Sequence, residues 1–236
     1  MHMDRRQFNG ISASALGAWI CLATQQAQAI TLADLSNADA SKGLKTALEK
    51  GALSAVALLG ATDGFLGNEK VRIPLPGYLN DAVGLLRTLG QGARVDELIT
   101  AMNRGAEAAV PMAKDMLLGA IKSMTPTDAK GILTGGETAV SKFFEDKTRP
   151  QLGVKFLPMV RKATEKVGLA DKYNQVAGKA ADMGLVKKED ANIQQYVTTK
   201  ALDGLFFMIA EEEKKIRQNP AAYGSALLSK VFGALQ

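Results

Sequence analysis

The helical pattern from residue 191 to residue 219 limits the fold of this chain more than any other segment. Asp190 or Asn192 can cap the start of this helix, and the Asn219-Pro220 step favours its end. At about 1.5 Å per residue, such a helix is roughly 40 Å long and crosses a whole small domain. We therefore expect the other helices to pack around it. Its apolar residues recur mostly three and four positions apart, as on one side of an α-helix: Tyr196, Val197, Leu202, Leu205, Phe206, Ile209 and Ile216.

The second half of this helix carries a dense run of charged residues. Glu211 and Lys215, and likewise Glu213 and Arg217, lie four positions apart with the acid first. This order favours ion pairs along an exposed helix face. We therefore expect this half to face solvent as ordinary charged surface, and we do not interpret it as a metal site or an acid cluster.

Helical spacing of apolar residues fills most of the remaining chain. Pro111 is expected to kink or split the pattern of residues 95–124, and Thr125 followed by Pro126 favours a new helix start. Residues 137–146 and 149–167 predict two separate helices, and residues 222–232 predict a final one. No alternating strand pattern competes. The sequence predicts an all-α, single multi-helix bundle of about seven to nine helices.

One segment between the helices lacks the helical period. Residues 61–81 contain turn signals and two prolines that are two positions apart. Because the residue before a proline avoids the α region, residues 71–76 are expected to form an extended apolar strap on the bundle. The strap residues that are candidates for binding are Arg72, Ile73, Pro74, Leu75 and Pro76.

The first 29 residues have the three regions of a cleaved secretory signal. Arg5 and Arg6 precede a weakly apolar segment, and Ala27-Gln28-Ala29 forms a small-x-small cleavage site. The twin arginine and the weak apolarity favour a Tat-like signal over a plain Sec signal. The apolar run is shorter than the roughly 20 residues that a bilayer requires. We expect export to the periplasm, which leaves residues 30–236 as a single all-α domain that is not transmembrane.

Removal of this signal would also remove the only histidine, cysteine and tryptophan: His2, Cys21 and Trp19. Metal sites and catalysis that depend on cysteine or histidine are then excluded, and we predict no metal and no cofactor. The net charge falls from +5 to +4, because two arginines and one aspartate are lost. Since basic and acidic residues alternate on the helix faces, no nucleic-acid binding is expected.

Polar residues at a predicted helix interface form the candidate binding site. Asn103, Arg104 and Glu107 lie on one helix among apolar neighbours, so Arg104 requires an acidic partner. Asp203, in the apolar half of the long helix, is the favoured partner, and Glu107 and Asp128 are alternatives. The pair is interpreted either as a structural ion pair that fixes helix register or as the polar floor of an apolar pocket. No residue is assigned a catalytic function.

Several segments together resemble one bacterial family, the exported proteins grouped as domain of unknown function 4197. The resemblance covers essentially the whole chain after residue 29, and it implies an all-helical periplasmic or envelope-associated protein without implying any particular activity. The segments are LSNADASKGLKTAL at 35–48, DGFLGNEKVRIPLP at 63–76, MNRGAE at 102–107, SMTPTDAKGILTGG at 123–136, YVTTKALDGLFFMIAEEEKKIRQNP at 196–220, and KVFG near the end.

The sequence leaves three functional hypotheses open. Export, a helical core rich in alanine and methionine, and the apolar strap favour a non-enzymatic envelope protein. Such a protein would bind either an apolar, lipid-like ligand or a protein partner in a groove between helices. The first alternative is a structural or assembly module of the envelope, and the second is a carboxylate-based hydrolase.

Overall fold

The computed structural model describes residues 37–136, 139–188 and 190–219, with side chains from residue 41 onward. No strand occurs in these ranges, which confirms the all-α class, and their eight α-helices agree with the predicted number. The predicted signal and the predicted helix at 222–232 lie outside the described residues. The α-helices are α1 (Asn37–Gly60), α2 (Asn80–Thr88), α3 (Gly92–Ala109), α4 (Lys114–Lys122), α5 (Pro126–Thr134), α6 (Ala139–Thr164), α7 (Gly168–Asp182) and α8 (Ile193–Gln218).

Helix α8 occupies the centre of the bundle, as the sequence predicts. It packs against α6, α1 and α3, and all seven apolar residues of the predicted stripe are buried. The side chain of Asn192 accepts a hydrogen bond from the Gln195 N–H at 3.1 Å and so caps the first turn. The helix ends before Asn219, ahead of Pro220. Both predicted ends of the helix are therefore confirmed.

The charged half of α8 does not face solvent throughout, so that prediction is wrong. Glu212 and Glu213 are only 3% and 5% exposed. They lie three and four positions after Ile209, and they therefore continue its buried face towards α1. Glu212 accepts a hydrogen bond from the hydroxyl of Ser54 on α1 at 2.8 Å. The buried face extends along α8 beyond the point where its side chains become charged.

The ion pairs of this half are only partly the predicted ones. Glu213 pairs with Arg217 at 2.5 Å, which confirms one prediction. Lys215 pairs with Glu212 at 2.6 Å and not with the predicted Glu211. Glu211 instead pairs with Lys70, in the segment before the strap, at 2.6 Å. Two of these pairs lie along α8, and the third ties the helix to a distant part of the chain.

Two prolines mark the local structure between α3 and α5. Pro111 lies in a 3-10 turn, Val110–Ala113, which separates α3 from α4 and confirms the predicted break. Pro126 begins α5, and the preceding Thr125 forms a reciprocal capping box with Asp128. The Asp128 N–H donates to the Thr125 hydroxyl oxygen at 3.1 Å, and the Thr125 N–H donates to the Asp128 carboxylate at 2.9 Å. The Thr125 hydroxyl also donates to the Asp128 carboxylate, at 2.8 Å, and the two hydrogen bonds that this carboxylate accepts from Thr125 lower its pKa.

Helix α6 is continuous, whereas the sequence predicts two helices. Pro150 and Pro158 both lie inside it, although a proline within a helix costs about 3 kcal/mol. Both prolines are exposed, and a stripe of buried residues continues past them and packs on α3 and α8, so tertiary packing of both halves offsets the missing backbone hydrogen bonds. The stripe recurs every four residues: Val140, Phe144, Thr148, Leu152, Phe156, Val160 and Thr164.

We expect Gly204→Ala in the middle of α8 to lower the free energy of unfolding by about 1–2 kcal/mol. A Cβ atom there would lie 2.8 Å from the ring of Phe65, which is fully buried. Overpacking of about 1–3 kcal/mol outweighs the gain of up to about 1 kcal/mol in helix propensity. Urea unfolding followed by far-UV circular dichroism measures the change.

The matched control is Gly178→Ala in α7. A Cβ atom there would meet nothing within 4 Å. This substitution is therefore expected to stabilise the protein by about 0.5–1 kcal/mol. If both variants changed the unfolding midpoint in the same direction, the close packing of Phe65 on α8 would be contradicted.

Candidate functional site

The predicted polar residues of α3 anchor the loop that precedes the strap. Glu107 is 4% exposed, and its Oε1 atom accepts hydrogen bonds from the N–H groups of Phe65 and Leu66, each at 3.1 Å. Its Oε2 atom accepts from Arg104 at 2.6 Å. Arg104 also pairs with Asp63 at 2.7 Å. Both carboxylate oxygens of Glu107 are therefore used to fasten residues 63–66 to α3.

Asn103 fastens the strap itself. Its side chain is fully buried and forms two hydrogen bonds with the backbone of Ile73, one with the N–H and one with the C=O, both at 2.9 Å. The Tyr196 hydroxyl donates to the C=O of Pro74 at 3.1 Å. Residues 72–76 form no regular secondary structure, and their backbone is held between α3 and α8. The extended conformation of the strap remains a prediction.

The predicted pairing of Arg104 with Asp203 is wrong. Asp203 pairs with Arg149 of α6 at 2.7 Å and with Lys200 at 3.5 Å. The reason is geometric: Asp203 lies at the edge of α8 beside α6 and is 44% exposed in its side chain, whereas Arg104 lies beside the loop before the strap. The alternative partner, Glu107, is confirmed.

The five candidate polar residues therefore do not form one polar floor. Asn103, Arg104 and Glu107 lie together at the strap and its preceding loop. Asp128 lies in the capping box of α5, with Lys147 3.9 Å away. Asp203 lines a separate groove of about 270 Å³ with Arg72, Ile73 and Pro74 of the strap. The structure thus brings Asp203 to the strap, although not to Arg104.

A second groove, which borders the strap at Leu75, is distinguished by its apolar lining and is the candidate binding site. It has a volume of about 180 Å³ and lies between the strap, α2, α3 and α7. Apart from Lys172 and the Tyr173 hydroxyl, its lining is apolar, and Leu75 is the only strap residue that contributes. The lining residues are Leu75, Leu79, Ala82, Val83, Leu86, Val95, Leu98, Leu169, Lys172, Tyr173 and Val176.

Helix α2 borders this groove without burying any of its own residues in the core. All nine of its residues are described, and none of them is buried. Val83 and Leu86 are half-buried against the groove, while Leu85 and Leu89 are 61% and 64% exposed. The apolar residues of α2 recur at helical spacing, which predicts a helix packed on a core. This spacing contains no sign that the packing is incomplete.

Two tyrosine hydroxyls form a polar cluster beside the groove, and one of these residues, Tyr173, lines it. The hydroxyls of Tyr78, just after the strap, and Tyr173 of α7 contact each other, and both lie within hydrogen-bonding distance of the backbone C=O of Asp190, so their two protons are shared among three contacts. Burial is the main cause that raises the pKa of both tyrosines. Burial also raises the pKa of Tyr196, to about 12. The strap, α7 and the segment before α8 are thus joined by neutral phenols.

We expect the protein to lose stability as the pH rises above about 10, the ordinary tyrosine pKa. The pKa of Tyr196 is raised in the folded state, so the phenol of the unfolded chain loses its proton at a lower pH than the folded one does. The stability that the neutral phenol contributes is therefore complete below about pH 10 and is lost as the pH rises to about 12. Urea titrations at pH 9 and pH 11 lie about one unit on either side of the ordinary tyrosine pKa. Between these two conditions, the free energy of unfolding should change less for Tyr196→Phe than for the unchanged protein. An equal dependence in both proteins would contradict the burial of this phenol.

Comparison with known families fits this architecture. The family model described as a protein of unknown function (DUF4197) matches residues 34–233. The chain belongs to the DUF4197 family. The match covers the whole described part of the chain, so the DUF4197 domain includes both the groove and the anchored strap, and the resemblance found in the sequence is confirmed. Neither a curated protein nor a solved structure matches the chain.

Two properties of the DUF4197 domain concern membranes and metals. Across the ranges that the structure describes, every helix is too short or too polar to span a bilayer. Within the same ranges, no three acidic, histidine or cysteine side chains come together as metal ligands would.

Proposed function

We propose that this DUF4197 protein is a non-enzymatic, exported helical protein that binds the alkyl chain of a lipid-like ligand in the apolar groove. The observation that carries the proposal is an open groove with an almost wholly apolar lining. Its floor is formed by Val95 and Leu98, and its walls by Leu86 and Val176. Water in such a groove would find few hydrogen-bond partners, so an apolar occupant is favoured.

The size of the groove favours a narrow ligand. Pockets for drug-sized molecules have volumes of roughly 300–1,000 Å³, whereas this groove has about 180 Å³. A single alkyl chain is narrow enough for a space of this size. Each methylene group that moves from water into the groove contributes about 0.8 kcal/mol, so a short chain is sufficient for measurable affinity.

The proposed location follows from the first 29 residues. Arg5, Arg6 and the Ala27-Gln28-Ala29 step support export to the periplasm by a Tat-like route. Lipid-like molecules need shielding from water in an aqueous compartment between membranes. A protein with an open apolar groove is suited to that task.

The carboxylates favour a binding protein over a hydrolase. Glu107 uses both of its oxygens to hold a loop, Asp128 caps a helix, and Asp203 pairs with two cations. A general acid or base needs a carboxyl group that is within reach of a substrate. The bonds that these three residues make support structural functions for them.

A protein partner is the second candidate, and exposed apolar side chains favour it. Leu85 of α2, Leu89 just after α2, Val176 of α7, and Met183 and Leu185 after α7 are each more than 60% exposed. Scattered apolar residues are common on surfaces, but the first three are on, or directly follow, the helices that border the groove. A segment of another protein could cover these residues together with the groove.

Native mass spectrometry of protein purified from the periplasm of its own host tests the proposal. We expect a species heavier than the apoprotein by the mass of one small amphiphile. An apoprotein mass alone would contradict a retained ligand. Mild crosslinking before purification addresses the second candidate, because a partner protein would then copurify while the small-molecule adduct would be missing.

A further inference from the structure

A polar basin adjoins the apolar groove. It has a volume of about 290 Å³ and is lined by Arg94, Glu97, Gly168, Leu169 and Lys172. Leu169 and Lys172 also line the apolar groove. The two spaces are therefore neighbours that share these two residues, and a molecule that is long enough to pass over them can occupy both.

Lys172 has the shape to serve both spaces. Its aliphatic stem lines the apolar groove, and a lysine in such a position extends its ammonium group towards water. That direction is the basin, where the exposed side chain of Arg94 is the second cation. Neither cation makes an ion pair or a hydrogen bond with any side chain in the described ranges. Both are therefore available to a bound anion.

The charge balance of the basin favours an anion. Two cations face one carboxylate, Glu97, so the lining has an excess of one positive charge. The basin also lies at the first turns of α3 and α7, where neither Gln91 nor Val167 provides a side-chain cap. The N–H groups of these turns add a partial positive charge to that of the two side chains.

We infer that the groove's ligand is a single-chain amphiphile with an anionic head group. Its alkyl chain lies in the apolar groove, and its head group lies in the basin against Arg94 and Lys172. The inference rests on the proposed function, since it identifies the class of ligand that the same groove takes. A neutral amphiphile would gain only from the groove, and a cationic one would be repelled by the basin.

Calorimetric titration with dodecanoate and with dodecanol, both below the concentrations at which they aggregate, tests the inference. The two probes share an alkyl chain and differ in the charge of the head group. Dodecanoate is expected to bind about tenfold more tightly at low salt, because exposed ion pairs to two cations each add a modest amount. About 1 M salt should remove most of this preference by screening.

The double substitution Arg94→Gln with Lys172→Gln is expected to make the two affinities equal. Unchanged dodecanol binding in this variant shows that its groove is intact. Lys179→Gln is the matched control, because Lys179 is an exposed lysine on the same helix that lines neither space. It should leave the preference for dodecanoate unchanged.

The outcomes separate the inference from the proposed function. Equal binding of both probes by the unchanged protein would overturn the anionic head group while leaving an alkyl-binding groove. A preference for dodecanoate that survives the double substitution would also overturn the inference, because the head group would then lie elsewhere. If neither probe binds, the proposed function itself fails.

Discussion

Replacing Glu107 with alanine should lower the free energy of unfolding by about 3 kcal/mol. The substitution leaves the N–H groups of Phe65 and Leu66 without their acceptor, and an unsatisfied buried group costs about 1–3 kcal/mol. It also leaves a cavity beside α3. Urea unfolding monitored by far-UV circular dichroism gives the free energy, and the loop at residues 63–66 should become more susceptible to proteolysis than the helices.

Asp63→Asn is the matched control for that prediction. Asp63 contacts the same arginine but is largely exposed, and its φ angle of 65° is one that asparagine tolerates. Loss of this exposed ion pair should leave the unfolding midpoint nearly unchanged. A similar loss of stability in both variants would show that Arg104, and not the buried carboxylate, holds the loop.

Replacing Leu86 with aspartate should weaken the binding of dodecanol at least about tenfold. The substitution removes part of the apolar wall and places a carboxylate where the alkyl chain would lie, and a desolvated charge is strongly unfavourable. Leu86 is only half-buried, on a helix without buried residues, so the bundle should still fold. Calorimetric titration measures the affinity.

Leu85→Asp provides a control one residue away on the same helix. Leu85 is 61% exposed and does not line the groove. The charge, the helix and the change in side-chain size are therefore the same, while the position relative to the groove differs. Equal weakening by both substitutions would indicate that the added charge acts at long range or destabilises α2, and it would contradict an alkyl chain in the groove.

Local sequence rules predicted most of the helical architecture. The stripe of α8, the break at Pro111 and the helix start at Thr125 and Pro126 each depend on residues within a few positions of one another. Helical periodicity and capping are local properties, so the sequence contains the information for them.

The two halves of α6 show where a local rule is insufficient. Pro150 and Pro158 each favour a break, yet the helix continues because both halves bury one stripe against α3 and α8. Whether packing outweighs the cost of a proline depends on neighbours that are distant in sequence. The sequence signal that could have predicted a single helix was the recurrence of an apolar residue or a threonine every four positions from Val140 to Thr164.

Ion-pair partners were predicted poorly for a related reason. Arg104 pairs with Glu107 and Asp63, and Asp203 pairs with Arg149, because partners depend on how helices are rotated and placed relative to one another. The burial of Glu212 depends on the same geometry. Its position after Ile209 was a usable signal, since it continues the apolar stripe by three residues.

The groove was the part of the site that the sequence could least predict. The strap was identified as a candidate, but only Leu75 among its residues lines the apolar groove. The other walls come from three helices whose apolar stripes look like ordinary core-facing stripes. A gap between α2 and its neighbours is a property of their packing, and no residue type signals it.

The central claim is that an alkyl chain binds between α2, α3 and α7. Methyl-labelled NMR spectra of the protein, recorded while dodecanol is added, test it most directly. Binding in the groove predicts saturable shifts of the Leu86, Val95 and Val176 methyl groups, with little change at Leu58, which is on α1 and does not line the groove. Shifts confined to methyl groups outside the groove, or no saturable shift at all, would contradict the claim.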